Sequence, residues 1–453
     1  MEYGIISCIP IAVLIIGVLI TKRMPEMIIL SSIIGAVLVY KAKFFTGYVG
    51  LIYGALANES YQFLLILLLG FGGMIKLFEK SGALQGFGKA ISKVADGPKK
   101  SMVATWIMGV LMFVDDYLNV LAVSSSMRGI TDKNGIPREH LAYGVNSMGA
   151  CVCVLIPFTS WATFAMGVMS EQGLGFSDYV RALPYMFFPI IAIAVCLLVA
   201  VGVIPKVGVI KKAYQRVAAG GPVLVKEETD GASIVNMGAS EDEEEPEPTS
   251  ALNFFIPIIV LIFVMMIWDN NVVNGIIAAV ACQLIMYLAQ KIMTLGEFLE
   301  NFFAGLSGMA PLAFIIMFAY ILGATNDEMG FSTYIIGILT KTIPPQLLPM
   351  IAFLVVAAVS FAAASFWVLI VITVPIFVPL AVSMGIDPAI VIAAIMSGVA
   401  FGSKFCFYSD AVFMTSAGTG VSNMTQIKAV APYVLGSAVL AAIVFGIVGF
   451  IAV

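Results

Sequence analysis

Long apolar segments, separated by short polar stretches, run along almost the whole chain. In the first half they cover approximately residues 5–20, 27–40, 61–78, 101–128, 140–170 and 183–204. In the second half they cover approximately residues 254–268, 272–289, 305–323, 346–384, 389–415 and 429–453. These segments are too long and continuous for barrel strands, and a chain that spans a membrane must satisfy its backbone hydrogen bonds internally. The pattern therefore predicts an all-α polytopic membrane protein.

Four of the apolar segments contain polar interruptions. In 101–128 and 346–384 each apolar arm is too short to span a membrane, which predicts two re-entrant hairpins. In 140–170 and 389–415 the interruptions at 157–161 and 404–410 predict two broken helices. Each half of the chain thus contains one hairpin followed by one broken helix.

A hydrophilic segment, 205–250, separates the two apolar halves. It begins with basic residues and ends in the acidic run Glu241–Glu247. A segment of low hydrophobicity and high charge does not bury enough apolar surface to fold alone, so we expect a flexible cytoplasmic linker. The predicted units are a first transmembrane repeat (1–204), the acidic linker (205–250) and a second transmembrane repeat (251–453).

The two halves overlay at a nearly constant offset. A shift of 248 places Phe113 on Phe361, and one single-residue adjustment then places Ser160 on Ser409. If each hairpin counts as zero crossings, each half crosses the membrane five times, and an odd number inverts the second half. We therefore predict two inverted-topology repeats, each with about five spanning helices, one re-entrant hairpin and one broken helix, which is an architecture typical of transporters.

The basic residues indicate the orientation. If the linker is cytoplasmic, 18 of the 23 lysine and arginine residues lie on the cytoplasmic side. The outer side holds only Lys41, Lys43, Arg181 and Lys341, and Lys404 lies within the membrane. Because basic loops are retained in the cytoplasm, the distribution predicts a multi-pass protein of the plasma (inner) membrane with both termini outside.

Composition excludes other classes of protein. Hydrophobic residues make up 61% of the 453 residues and charged residues 11%, unlike a soluble domain. The sequence contains no basic patch with interleaved aromatic residues of the kind that would indicate nucleic-acid binding. The first apolar run precedes its positive charges, so it predicts a span and not a cleavable signal. The six cysteines lie in apolar segments and are expected to act as small hydrophobic residues; no cofactor is expected.

Asp115 and Asp116 are adjacent carboxylates inside an apolar run, and Asn119 follows them. An ionised carboxylate at the centre of a membrane helix costs about 2.5–3.5 kcal/mol on insertion scales, which points to a functional site. Like charges close together favour protonation of one of them, so a proton site beside a cation site is expected. The alternative is that one aspartate caps the second hairpin arm, and the sequence leaves open which one faces the ion.

The other interruptions hold polar residues of the same kinds. Unwound backbone frees carbonyl groups, which together with Ser, Thr, Asn and Asp oxygens suit a hard cation such as Na+. The predicted cation- and proton-binding residues are Asp115, Asp116, Asn119, Thr159, Ser160, Ser365, Ser409 and Asp410. Within this set Asp115, Asp116, Ser160 and Asp410 are expected to hold the transported Na+. Residues 326–328 (Asn, Asp, Glu) are interpreted as a solvated loop.

Lys404 lies six residues before Asp410, across the second broken helix. A buried lysine at this place pairs with Asp410 when no cation is bound, or binds the carboxylate of a substrate. A purely structural ion pair is the third reading. The sequence leaves these three roles open.

Two blocks of sequence carry a resemblance to a known family. The block Phe113–Trp161 begins FVDDYLNV and continues through MRGITD, LAYG and PFTSW. The block Gly402–Gly420 reads GSKFCFYSDAVFMTSAGTG. Both resemble the corresponding blocks of the NhaC-type Na+/H+ antiporter family, and the likeness extends over most of the chain.

This resemblance implies ion-coupled secondary transport, with matching positions at Asp115, Asp116, Ser160, Ser409 and Asp410. It also implies a homodimer and an elevator-like motion. The chain departs from the family pattern at Asn146 and Ser403, where the family has acids, at Lys404, where it has histidine, and at Phe407, where it has proline. The loss of two acids and the gain of a lysine argue against simple Na+/H+ exchange. Some members of the family carry small carboxylates or amino acids with Na+, and Lys404 suits a substrate of that kind.

The combined prediction is a transporter and not an enzyme. The first reading is a Na+/H+ antiporter with alternating access, in which Na+ and H+ compete for the same carboxylates. The alternative is a Na+-coupled transporter of a small organic anion or amino acid. An intramembrane aspartyl protease would use Asp116 and Asp410, and a channel would need an open pore, but interrupted helices in an inverted repeat argue against both. The expected partners are Na+, H+, membrane lipid and a second copy of the chain, together with a small carboxylate or amino acid under the alternative reading. No nucleic acid is expected.

Overall fold

The computed structural model describes residues 3–21, 24–92, 95–113, 116–225, 246–268, 271–331, 334, 343–363, 366–406 and 409–451. All regular elements in these residues are helices, as the apolar pattern predicts. The first half contains α1 (Ile9–Thr21), α2 (Met24–Tyr40), α3 (Phe44–Ala57), α4 (Glu59–Lys80), α5 (Ala83–Ser92), α6 (Pro98–Leu111), α7 (Asp116–Lys133), α8 (Arg138–Leu155), α9 (Ser160–Ser170), α10 (Phe176–Ala182), α11 (Phe187–Val201) and α12 (Gly208–Ala218). The second half contains α13 (Leu252–Ile267), α14 (Val272–Ala289), α15 (Leu295–Glu328), α16 (Leu348–Ala363), α17 (Phe366–Ser383), α18 (Pro388–Phe405), α19 (Asp410–Thr419) and α20 (Asn423–Ile451).

The membrane-spanning capacity is distributed over single helices and bent pairs. Three stretches are long and apolar enough to cross a membrane alone: Glu26–Ala57, Pro388–Phe405 and Asn423–Ile451. Two bent pairs, α8 with α9 and Phe176–Tyr185 with α11, meet the criterion together. The described residues thus supply up to five spans by length and composition, and five crossings per half remain a prediction. Helix α3 was not among the predicted apolar segments. It continues α2 through the turn Lys41–Lys43.

Both predicted hairpins consist of two helices with a short break between them. The first contains α6 and α7, and the second contains α16 and α17, and the arms of each hairpin pack against each other. Asp115 in the first break and Ser365 in the second lie outside the described residues. Their roles as cation ligands therefore stay predictions.

Both predicted broken helices are interrupted where polar residues enter the apolar segment. Helices α8 and α9 meet at a bend of 41° across residues 156–159, which include Pro157. Helix α18 ends at Phe405 and α19 begins at Asp410. Proline has no backbone N–H and disfavours helical backbone at the residue before it, which explains the first break.

The hairpin and broken helix recur at one fixed interval. Helices α6, α7, α8 and α9 begin at residues 98, 116, 138 and 160, and α16, α17, α18 and α19 each begin 250 residues later. The offset is 248 only near Gly82 and Gly330, which follow the ends of α4 and α15 with positive φ. The sequence overlays of Phe113 on Phe361 and of Ser160 on Ser409 are therefore wrong, by two residues and by one residue. The repeated order supports two structural repeats, and their opposite orientation remains a prediction.

The first segments of the two broken helices form the centre of the molecule. Every residue from Glu139 to Val154 in α8 and from Ala389 to Lys404 in α18 is buried. Helix α18 also approaches α16 closely, because a Cβ atom added to Gly402 would lie 1.8 Å from the Ser360 Oγ. Small residues allow membrane helices to approach in this way. The polar residues at the ends of α8 and α18 are consequently attached to two fully buried helical stretches.

The linker is partly ordered, which corrects the expectation of a flexible segment for residues 205–225. Residues 208–218 form the amphipathic helix α12, which buries Ile210 and Ala213 and exposes its lysines. The Arg216 guanidinium donates to both carboxylate oxygens of Glu139 at 2.8 and 3.1 Å. Beyond α12, the Val223 carbonyl accepts a hydrogen bond from the Arg138 backbone N–H. These contacts attach the first part of the linker to the start of α8. Arg216, which the composition of the linker places in solvent, instead forms an ion pair with Glu139.

Candidate functional site

The tip of the first hairpin is closed by Asn119. Its Nδ2 donates to the carbonyl oxygens of Gly109 at 2.6 Å and Met112 at 3.1 Å, which α6 leaves free where it ends. The Asn119 Oδ1 is buried and has no hydrogen-bond partner among the described residues. The side chain is therefore held by its donor atoms while its acceptor oxygen stays available.

Asp116 lies at the first position of α7 and is 2% exposed. It is three residues from Asn119, and side chains at this spacing share one face of a helix. A Cβ atom added to Gly149 of α8 would lie 3.6 Å from the Asp116 backbone oxygen, which is van der Waals contact distance, so the hairpin tip packs directly beside α8. A carboxylate and an amide oxygen are thus placed together beside the first broken helix.

The hairpin tip and the break in the first broken helix are joined through Cys153. The Cys153 Sγ donates to the Phe113 carbonyl at 3.2 Å, and the Cys153 carbonyl accepts from the Thr159 Oγ1 at 2.6 Å. Hydrogen bonds through Cys153 therefore connect the break of the first hairpin to the break of the first broken helix. Cysteine acts here as a small polarisable residue with a weak donor, as expected for a buried thiol.

Thr159 and Ser409 cap the two half-helices in the same way. The Thr159 Oγ1 accepts from the Ala162 N–H at 3.1 Å, and the Ser409 Oγ accepts from the Val412 N–H at 3.2 Å. Each hydroxyl also donates to a carbonyl six residues earlier: Ser409 donates to the Ser403 carbonyl at 3.0 Å, as Thr159 does to Cys153. The first residues after the caps, Ser160 and Asp410, are therefore equivalent positions at the N-termini of α9 and α19.

Thr159→Val and Ser409→Ala should each lower the free energy of unfolding by about 1 kcal/mol, the typical effect of losing an N-cap. Thermal unfolding in detergent measures the effect, and Ser177→Ala on the exposed start of α10 is the matched control. A large effect of one variant with none of the other would contradict the equivalence of the two caps.

Lys404 connects the two broken helices. It is 1% exposed, and its Nζ donates to the Asn146 backbone carbonyl, while the Asn146 Nδ2 donates to the Lys404 carbonyl at 3.2 Å. The pairing of Lys404 with Asp410 stays a prediction, since the Asp410 side chain is outside the described atoms. Sequence reasoning noted Asn146 only as a departure from the family pattern and missed its contact with Lys404.

Aromatic side chains bring the second hairpin to the first broken helix. Trp161, in the first turn of α9, lies 5.1 Å from Trp367 and 6.1 Å from Phe366, both at the start of α17, between ring centroids. The start of α17, the second arm of the second hairpin, therefore packs beside the first turn of α9, which contains Ser160. With the Lys404–Asn146 link, this contact gathers the four interruptions into one region around the ends of α8 and α18.

A family model and a curated relative match most of this chain. The model of the Na+/H+ antiporter family matches residues 152–450, about two thirds of the chain. An uncharacterised protein of Haemophilus influenzae is 22% identical over 433 residues, which cover 87% of this chain and 79% of that protein.

Two solved transporter structures share the fold. The YdaH transporter of Alcanivorax borkumensis aligns with a TM-score of 0.58 at 13% identity, over 90% of this chain and 89% of that chain. MtrF of Neisseria gonorrhoeae, described as illuminating a class of antimetabolite efflux pumps, aligns with a TM-score of 0.52 at 14% identity, over 90% and 84% of the two chains. At these identities the likeness establishes the fold alone.

Proposed function

We propose that this chain, which belongs to the Na+/H+ antiporter family, exchanges Na+ for H+ across a membrane by alternating access. Family membership and the fold support a secondary transporter. The observation that carries the narrower proposal is the buried Asn119 Oδ1, which has no partner among the described residues and shares a helix face with the buried Asp116. Oxygen ligands of this kind are those that a hard cation prefers.

Exchange follows from competition at one site. Na+ is held by the carboxylate of Asp116 and the Asn119 oxygen, and we assign Asp115, Ser160 and Asp410 to the same ion. Thr159 and Ser409 hold the half-helix N-termini in place beside it, and Ser365 belongs to the second hairpin tip. Protonation of a carboxylate removes the charge that attracts Na+, so each cation leaves when the other binds. This competition couples the two fluxes without a second pathway.

The test is transport by purified protein in liposomes that enclose a pH-sensitive dye. An inward Na+ gradient is expected to drive proton efflux, and a K+ gradient of the same size is not. Empty liposomes and liposomes with protein and an ionophore that collapses the Na+ gradient are the controls. If the Na+ gradient moves no protons, the antiport proposal is wrong.

The second candidate function is Na+-coupled transport of a small organic anion or amino acid. The buried Lys404 ammonium favours it, because a lysine in the centre of a membrane protein suits a carboxylate. MtrF, which shares the fold, is described as illuminating a class of antimetabolite efflux pumps. Uptake of a labelled carboxylate that depends on Na+ and moves no protons would favour this function over antiport.

We propose the membrane arrangement on the same basis. The linker is cytoplasmic and both termini are outside in the plasma membrane, as the positive residues indicate. The two repeats are inverted, and the transport motion is elevator-like in a homodimer, as the family resemblance implies. The variants Lys212→Cys and Glu171→Cys test the orientation. A thiol reagent that does not cross the membrane, added to intact cells, should label Glu171→Cys and not Lys212→Cys.

A further inference from the structure

A cleft lined by both polar and apolar residues lies at the end of the first broken helix opposite to α12. It has a volume of about 310 Å³ and is lined by residues after the end of α9, by the last turns of α15 and by the middle of α17. We name it the Asp327 cleft, after the residue at the end of α15 that lines it with Glu171 and Asn326. Because α8 begins at the docked linker and α9 ends immediately before Glu171, the cleft and the linker lie at opposite ends of this bent span.

The cleft carries negative charge without a basic partner. Glu171 and Asp327 both line it, and no lysine or arginine of the described residues forms an ion pair with either. Burial raises the pKa of the Glu171 carboxyl, the hydrogen bond from Asn58 lowers it, and the negative charge of Asp327 raises it. The two carboxylates therefore act on each other across the cleft.

Two buried polar atoms distinguish the cleft from ordinary acidic surface. The Asn326 Oδ1 and the Tyr320 hydroxyl belong to cleft residues that are only 7% and 8% exposed. Neither atom has a hydrogen-bond partner in the part of the chain that the structure describes. A buried polar group left unsatisfied costs about 1–3 kcal/mol, so a ligand that pairs with the Asn326 oxygen is favoured. The interpretation of residues 326–328 as a solvated loop is wrong for Asn326, which lies buried in the last turn of α15.

We propose that the Asp327 cleft is a second cation-binding site, which takes hydrated Na+ on the carboxylates of Asp327 and Glu171 and on the Asn326 amide oxygen. The choice of Na+ rests on the proposed function. The volume accommodates an ion with part of its water shell, and carboxylate and amide oxygens are suitable ligands. A cleft of one charge sign raises the local cation concentration and the rate of ion entry by about tenfold or more. The site therefore collects Na+ on one face before the ion reaches the broken helices.

The transport test uses Glu171→Gln combined with Asp327→Asn. The Na+ concentration that gives half-maximal exchange is expected to rise about threefold or more at low ionic strength, while the maximal rate is kept. Glu328→Gln removes a neighbouring charge that accepts a hydrogen bond from Tyr40 and does not line the cleft, so it is the matched control. An unchanged half-maximal concentration in the double variant overturns the proposal.

A binding test separates this inference from the proposed function. Thermal unfolding is measured in the Asp116→Asn background, with NaCl replacing N-methylglucamine chloride at constant ionic strength. Stabilisation by Na+ is expected to persist with the native cleft and to disappear after Glu171→Gln and Asp327→Asn. If Na+ stabilisation persists in the cleft variant, or a small organic ammonium stabilises where Na+ does not, the proposal is wrong, even where exchange itself is observed. If exchange is absent but Na+ stabilisation depends on the cleft, the antiport proposal fails and the cation site stands.

Discussion

Asp116→Asn is expected to reduce Na+/H+ exchange by about a hundredfold or more while the protein stays folded. Asn119 and Asp116 share one face of α7, and Asp116 is 2% exposed. Water therefore has little access to the site and does not substitute for the carboxylate as a ligand of the ion. Removing the charge that a buried cation pairs with costs about 3 kcal/mol, and each 1.4 kcal/mol is a factor of ten in affinity. The asparagine has the same shape as the aspartate and introduces no buried charge, so thermal stability should be kept or increased.

Exchange and unfolding are measured on the same preparation. Asp96→Asn, an exposed aspartate before α6, is the matched control and should leave exchange unchanged. Asp116→Glu keeps the charge but lengthens the side chain, and it should shift the Na+ concentration for half-maximal exchange more than the maximal rate. Native exchange by Asp116→Asn would remove this residue from the site and leave Asp115 as the remaining carboxylate of the hairpin tip.

Arg216→Met is expected to lower the free energy of unfolding by about 3 kcal/mol, although Arg216 lies far along the chain from the membrane site. The Glu139 side chain is 6% exposed, and both of its oxygens accept from Arg216. The same guanidinium donates to the carbonyls of Pro222 and Val223, which continue the linker. Its loss leaves a buried carboxylate unpaired and releases the linker from α8.

The double variant Arg216→Met with Glu139→Gln identifies the cause. It should recover part of the lost stability, because the unpaired charge has been removed. Lys212→Met, an exposed charge on the same helix, should have little effect. Equal stability of Arg216→Met and the native protein in thermal unfolding would show that the docked linker contributes nothing to the fold.

The helical elements and their interruptions were predictable from single segments. An apolar run interrupted by Pro157 or by Asp116 contains the cause of its own break, since the backbone and charge penalties are local. The offset between the repeats was harder to obtain, because low sequence similarity left it uncertain by one residue at Ser160. The equal starts of the helices and the matching caps at Thr159 and Ser409 correct it.

Contacts between distant segments were not predictable in the same way. Linker composition suggested flexibility, yet the partner of Arg216 is Glu139, 77 residues earlier. Asn326 reads as part of a polar loop, and only the tertiary structure, which brings the end of α15 to α17 and to the residues after α9, buries it beside a cleft. Asn146 likewise acquires its role only through Lys404, 258 residues away.

The sequence by itself determined the membrane class, the helical segments, the positions of the breaks and the polar residue types placed there, because these depend on local hydrophobicity and backbone chemistry. The tertiary structure decided which of those breaks meet, how Asn119 and Lys404 are oriented, and where the linker docks. It also placed Glu171, Asn326 and Asp327 around one cleft. The physical reason is that burial and hydrogen-bond pairing between segments depend on how the helices pack, which no single segment contains.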